Sequence, residues 1–213
     1  SAAVGISVLF ALIRGFLKVK EKGLGSFWAD VTRTTLYVLI PLSLVVSLSL
    51  VSQGVVQNFR PYETVSLVEP IKLEDGTAVT EQIVPMGPAA SQVAIKQLGT
   101  NGGGFFGVNS AHPLENPTPF SNMVEMLSIL LIPAALCFTF GRNIKDSKQG
   151  KTLFIAMFLM LVAALAIIAV NEHAATPQIV QNQTVDVSML DQAGGNMEGK
   201  ETRFGIAASS TWA

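Results

Sequence analysis

Residues 99 to 107 read GTNGGGFFG, and within them Gly102, Gly104 and Gly107 spell G-x-G-x-x-G. In a dinucleotide-binding loop such glycines follow a strand and open a helix, so that helix N–H groups meet the phosphate. Here the order is different. The stretch before them, GPAASQVAIKQL at 87–98, has the mix of small and apolar residues of a short helix, and Pro113, Pro117 and Pro119 follow. Those prolines do not suit a long helix just beyond the glycines. No Gly-Lys-Ser/Thr follows these glycines either, and the Gly-Lys-Thr at 150–152 has Lys145 where the pattern needs its first glycine, so the Walker pattern fails. A helix that ends at the glycines presents its C-terminal, partially negative end, which favours a cation. Glycines reach the dihedrals that aim successive carbonyls at one axis, and such carbonyls can replace the water shell of a desolvated cation. Two readings stay open on the residues alone: a re-entrant pore loop, and an ordinary glycine-rich outer loop.

Few other residues carry chemistry. Cys137 is the single cysteine and lies in an apolar run, which excludes a disulfide framework or a cysteine-rich metal site within the chain. His112 and His173 are far apart in sequence; His112, in Ser-Ala-His-Pro, is placed to anchor the loop or influence its entrance rather than to ligate a metal. Asn109, Glu115 and Asn116 are candidates to tie the loop down by hydrogen bonds, because polar groups near a membrane need partners. Lys96 falls on the short helix, where a positive charge beside a cation path repels; it is expected to face the surface or pair with an acid. Phe105 and Phe106 read as packing residues. Asn182-Gln183-Thr184 is a glycosylation sequon by letters only.

The elements that must position these residues are membrane spans. The chain of 213 residues is 49% hydrophobic and only 14% charged, against about 25% charged in a soluble domain. Residues 34–59 and 152–171 contain no charge, residues 126–141 form a shorter uncharged run that Asn122-Met123-Val124 extends past Glu125, and an apolar stretch runs from the start to Arg14. A bilayer core needs about 20 apolar residues in a helix, so four spans are expected, the first incomplete. Pro41 and Pro133 lie inside spans and are expected to bend them. Glu125, near the outer end of its span, suits either a pathway-facing or an interfacial position. The opening shows no basic leader and hence no signal-peptide pattern, and the abrupt ends suggest a piece of a longer chain. The net charge of −1 lends no support to a nucleic-acid partner.

Loop charges alternate. Arg14, Lys18, Lys20, Lys22 and Arg33 stand against Glu21 and Asp30 in one short loop, and Arg142, Lys145, Lys148 and Lys151 against Asp146 in another. The segments 60–85 and 172–201 are long and acidic. Short loops rich in Lys and Arg stay cytoplasmic, which puts the glycine stretch on the outer side. The order span, basic loop, span, acidic segment, short amphipathic stretch occurs twice, over 1–98 and about 122–213, ending in GPAASQVAIKQL and RFGIAASSTWA. Internal repeats of this kind are common in transport proteins.

The letters add a resemblance. LGTNGGGFFGVNSAHPLENPTPFSN, the following MVEMLSILLIPAALCFTFGR, the opening SAAVGISVLFALIRGF, PMGPAASQVAIKQ and NMEGKETRFGI are similar to the A-subunit family of bacterial Kdp potassium-transporting ATPases. The resemblance implies an all-α polytopic membrane protein of the potassium-transporter superfamily, built from four repeats of helix, pore loop and helix whose loops form one potassium filter. Residues 1–33 would then hold the end of the first repeat and a cytoplasmic loop, 34–141 the second repeat, and 142–213 a cytoplasmic loop and the third repeat as far as its pore helix. Thr100, Asn101 and Gly102, with Gly103 beside them, would be the second repeat's share of the filter. Potassium would be the transported substrate. ATP would be bound only by a P-type B partner subunit, whose DKTG motif this chain lacks, with small C and F subunits completing a complex at the bacterial inner membrane. The alternative is a stand-alone potassium channel or ion-gradient-driven transporter of the same superfamily.

Overall fold

The computed structural model describes residues 1–17, 23–73, 76–100, 102–107, 110–174 and 203–212. Asn101, Asn109, the sequon at 182–184 and most of the second acidic segment lie outside the described residues. The elements in chain order are α1 (Ala2–Leu17), α2 (Phe27–Ser52), β1 (Glu63–Lys72), β2 (Ala78–Val84), α3 (Ala89–Gly99), α4 (Pro119–Asn143), α5 (Ser147–Ala174) and α6 (Gly205–Trp212). The chain divides into two compact units, residues 1–7 with 28–129 and residues 8–27 with 130–213.

Among the described residues, α2, α4 and α5, of 26, 25 and 28 residues, are long and apolar enough to cross a membrane. At 1.5 Å per residue each spans about 40 Å, more than the roughly 30 Å of a hydrocarbon core. Each begins several residues before the uncharged run that announced it, because the polar first turn sits outside the apolar stretch. In α5 no residue of the most apolar 18-residue stretch is buried; a helix apolar all round needs an apolar environment on every side. α1 is apolar but has only 16 residues.

The two prolines act differently. Ahead of Pro41, residues Thr35–Leu39 form a π-helical turn in which the Ile40 N–H donates to the Thr35 carbonyl. Pro41 has no N–H to continue the regular ladder, and the widened turn absorbs the mismatch. Pro133 sits inside a continuous α4, where it leaves the carbonyl of Ile129 without its usual helical donor.

One part of the structure departs from the all-helical expectation. The acidic segment after α2 forms an antiparallel hairpin in which Glu63 pairs with Val84 and Ser66 with Glu81, then, after an irregularity, Ile71 pairs with Val79 and Lys72 with Ala78. Pro70, which has no ladder donor, stands within the irregular stretch.

In the first unit α2 and α3 pack together. Val46 and Leu50 of α2 are buried, as are Ala89, Ala90, Val93, Ala94 and Leu98 of α3. Small side chains let backbones approach closely where lipid tails compete equally for apolar surface. In the second unit a Cβ on Gly150 of α5 would lie 2.7 Å from the Cys137 carbonyl of α4, and one on Gly141 would lie 2.8 Å from the Gly150 Cα. The turn between these helices places Lys145 at φ 60, and Asp146 Oδ1 accepts the N–H groups of Lys148 and Gln149 at 3.0 and 3.3 Å, an acidic N-cap for α5.

Candidate functional site

The glycine stretch is held by α3 on one side and by the start of α4 on the other. The first turn of α3 is tied to the chain leaving α2: the Ala90 N–H donates to the Val56 carbonyl at 2.9 Å, and the Ser91 N–H to Gln57 Oε1 at 2.9 Å. These bonds satisfy donors that a helix start leaves open. The start of α4 is a capping box. Thr118 N–H donates to Ser121 Oγ at 3.0 Å and Ser121 N–H to Thr118 Oγ1 at 3.1 Å, with Pro119 at the first helical position. Thr118 Oγ1 also donates to Gln53 Oε1 at the end of α2, at 2.8 Å.

Between these anchors the backbone takes an unusual path. α3 ends at Thr100, which adopts φ 50, ψ 33 while its N–H donates to the Gln97 carbonyl at 3.2 Å. A β-branched residue in the left-handed region is a genuine outlier, costing on the order of 1–3 kcal/mol, and such outliers cluster at functional sites. Gly102 and Gly103 follow at φ 65 and 85. All three are exposed, and a Cβ on either glycine would meet nothing within 4 Å. Left-handed backbone is thus displayed in open space at the C-terminal end of a helix.

The next residues turn inward. The Phe105 and Phe106 N–H groups, and that of Gly107 at 3.3 Å, all donate to Glu115 Oε1. Successive N–H groups converging on one oxygen make an anion-binding nest. Gly104 makes the turn possible, since a Cβ there would collide with the Gly107 carbonyl. The second and third glycines of the G-x-G-x-x-G letters therefore do shape an anion site, and its anion is the chain's own carboxylate.

Glu115 is fully buried, and its Oε2 accepts from Lys96 Nζ of α3 at 2.9 Å. Lys96, 5% exposed, also donates to Ser110 Oγ at 2.6 Å. Gln97 Nε2 donates to Ser110 Oγ at 3.0 Å and to Glu125 Oε2 of α4 at 2.8 Å. Glu125 is fully buried and its Oε1 finds no partner among the described residues. Burial acts to raise the Glu115 carboxyl, but the Lys96 ammonium and the Phe106 and Gly107 N–H groups outweigh it and hold the group below its ordinary value.

Of the residues singled out in the sequence, Thr100, Gly102 and Gly103 come together as this exposed run, and Asn101 lies outside the described residues. Lys96 pairs with an acid, as one of its two expected fates. Asn116 ties the loop to α4, donating to Asn122 Oδ1 at 2.8 Å and accepting from Ser121 Oγ at 2.7 Å. His112 anchors the turn: its Nδ1 accepts the Leu114 N–H at 3.2 Å, and its ring lies 5.3 Å from that of Phe106. The Phe105 ring packs so closely on Gly87 that a Cβ there would strike it. The roles of Gln97 and Ser110 were not anticipated, and Glu125, suited by sequence to a pathway-facing or an interfacial position, is buried. One signal pointed to the partner of Lys96: Glu115 is the only acid between Lys96 and Glu125.

A family model described as "Potassium-transporting ATPase A subunit" matches residues 1–213. Curated relatives bearing the name "Potassium-transporting ATPase potassium-binding subunit" are 74% identical in Clostridium botulinum (strain Eklund 17B / Type B) and 71% identical in Clostridium perfringens (strain ATCC 13124), each over 213 residues. One from Desulfovibrio desulfuricans (strain ATCC 27774) is 63% identical over 217 residues. Each match covers 100% of this chain and 37% of the relative.

Proposed function

The chain belongs to the potassium-transporting ATPase A-subunit family, and on that premise we propose that it is part of the potassium-binding and translocating membrane subunit of an ATP-driven uptake pump. Carbonyls of Thr100, Asn101, Gly102 and Gly103 are one loop's share of the potassium filter. They take over the ion's coordination from water, at the negative end of the α3 dipole. The observation that carries this reading is the exposed left-handed run at Thr100, Gly102 and Gly103 on a helix C-terminus. Residues 34–141 make one helix–pore loop–helix repeat, flanked by the end of an earlier one and the start of a later one.

The names of the relatives favour an ATP-coupled complex over a stand-alone channel or gradient-driven transporter. ATP is bound and hydrolysed by a P-type B partner, with C and F subunits alongside. The complex lies in the bacterial inner membrane, with the basic loops at 14–33 and 142–151 in the cytoplasm and the glycine loop outside.

Rubidium, a potassium congener with a usable anomalous signal, tests the site directly. Crystals of the full-length complex in rubidium should show an anomalous peak among the carbonyls of Thr100, Asn101 and Gly102. Rubidium peaks elsewhere in the membrane region with none at this loop would overturn the assignment.

A further inference from the structure

Gly102 and Gly103 have no packing on the side where a Cβ would stand, so their carbonyl directions depend on what fixes the two ends of the run. One end is α3, through the Thr100 N–H bond to Gln97. The other is the nest of Phe105, Phe106 and Gly107 around Glu115. The N–H of Phe105 shares a peptide plane with the Gly104 carbonyl, and that of Phe106 shares one with the Phe105 carbonyl. In a trans peptide the two groups point in opposite directions. Each bond to Glu115 therefore turns one of these carbonyls away from the carboxylate and fixes a plane next to the run. The same carboxylate reaches back to Lys96 on α3 at 2.9 Å, so one side chain joins both ends. It also cancels a cation held a few residues from a path for cations.

We propose that Glu115 is a positioning residue for potassium discrimination, bracing the backbone of the glycine run through its nest and screening the path from Lys96. The proposal rests on the filter reading of Thr100–Gly103.

The test uses the full-length chain in its intact complex in membrane vesicles, with Glu115→Gln, the double variant Lys96→Met/Glu115→Gln, and Gly102→Val as a control on the filter. Half-saturating potassium, the rubidium-to-potassium ratio and maximal turnover are measured for each. Glutamine keeps an acceptor for the nest but loses the charge and strands Lys96. Half-saturating potassium should rise about tenfold or more, since hydrogen bonds to charged groups are the strong ones. Discrimination should narrow by about threefold while turnover changes by less than about threefold, a split that general misfolding does not produce. In the double variant half-saturating potassium should return toward the wild-type value, with discrimination still narrowed.

Unchanged half-saturation and discrimination in Glu115→Gln, or a fall in turnover alone, would overturn the brace while a shift in Gly102→Val upholds the filter. No shift in Gly102→Val would remove the filter reading and the brace with it. If Glu115→Gln does not reach the membrane, the double variant, which has no stranded charge, decides the matter by its discrimination alone: narrowed supports the brace, unchanged overturns it.

Discussion

Two residues in the loop hold conformations or charges that the chain would not adopt without compensation. Thr100 is β-branched and left-handed. Glu115 is fully buried and ionised, and three N–H groups and one ammonium offset its desolvation. The titratable groups around Glu115 are Lys96 from α3 and, through Gln97 and Ser110, Glu125 from α4, with His112 in its own loop. Because the folded carboxyl is held below its ordinary value, its stabilisation is fully present above the ordinary carboxylate range and is lost as pH falls through the lowered value. Glu115→Gln should therefore cost about 3–5 kcal/mol at neutral pH, the usual penalty for leaving one partner of a buried pair alone. The gap between wild type and variant in thermal unfolding of the detergent-solubilised full-length protein should close as pH drops below that range. A gap that stays constant into strong acid would show that the carboxylate charge is not what stabilises the loop.

At the scale of elements, the spans were legible because uncharged runs of that length have few other uses. The short helix α3 was legible to within two residues, since GPAASQVAIKQL opens on Gly-Pro and closes at glycine. The hairpin was not. Val65, Val79 and Ile83 carried a strand signal, but the acidic charge of the segment marked it as an outer loop first, and Pro70 broke its pattern. The site was legible in part. The direction of the helix ahead of the glycines favoured a cation, and only the resemblance picked out Thr100–Gly103 for it, whereas the nest at 105–107 depends on a tertiary contact with Glu115 that spacing alone does not disclose. The proposed placement of the loops on opposite sides of the membrane has its own test. In a cysteine-free full-length chain, Glu81→Cys on the hairpin should react with a membrane-impermeant maleimide added to whole spheroplasts, and Lys148→Cys between α4 and α5 only after lysis. Both side chains are exposed. The reverse pattern would invert the topology.

The chain spans 37% of the length of the relatives it matches, and the proposed filter, shared among several loops, would have its properties only with all of them present. The proposed role is thus one for the whole molecule: the carbonyls of this glycine run, not its N–H groups, meet the ligand, and the ligand is potassium. Gly102 is the place to ask. At φ 65 with open space around it, a β-branched side chain there meets no steric obstacle but strains the left-handed backbone, as at Thr100, which drives the carbonyl to turn while the fold around it stays. The decisive measurement is the potassium affinity and the discrimination against sodium and rubidium of the assembled complex carrying Gly102→Val. Potassium binding should weaken by about tenfold or more for the loss of well-placed coordinating carbonyls, and the preference over both rival ions should narrow. Wild-type affinity and wild-type discrimination in a complex that reaches the membrane in normal amounts would contradict it.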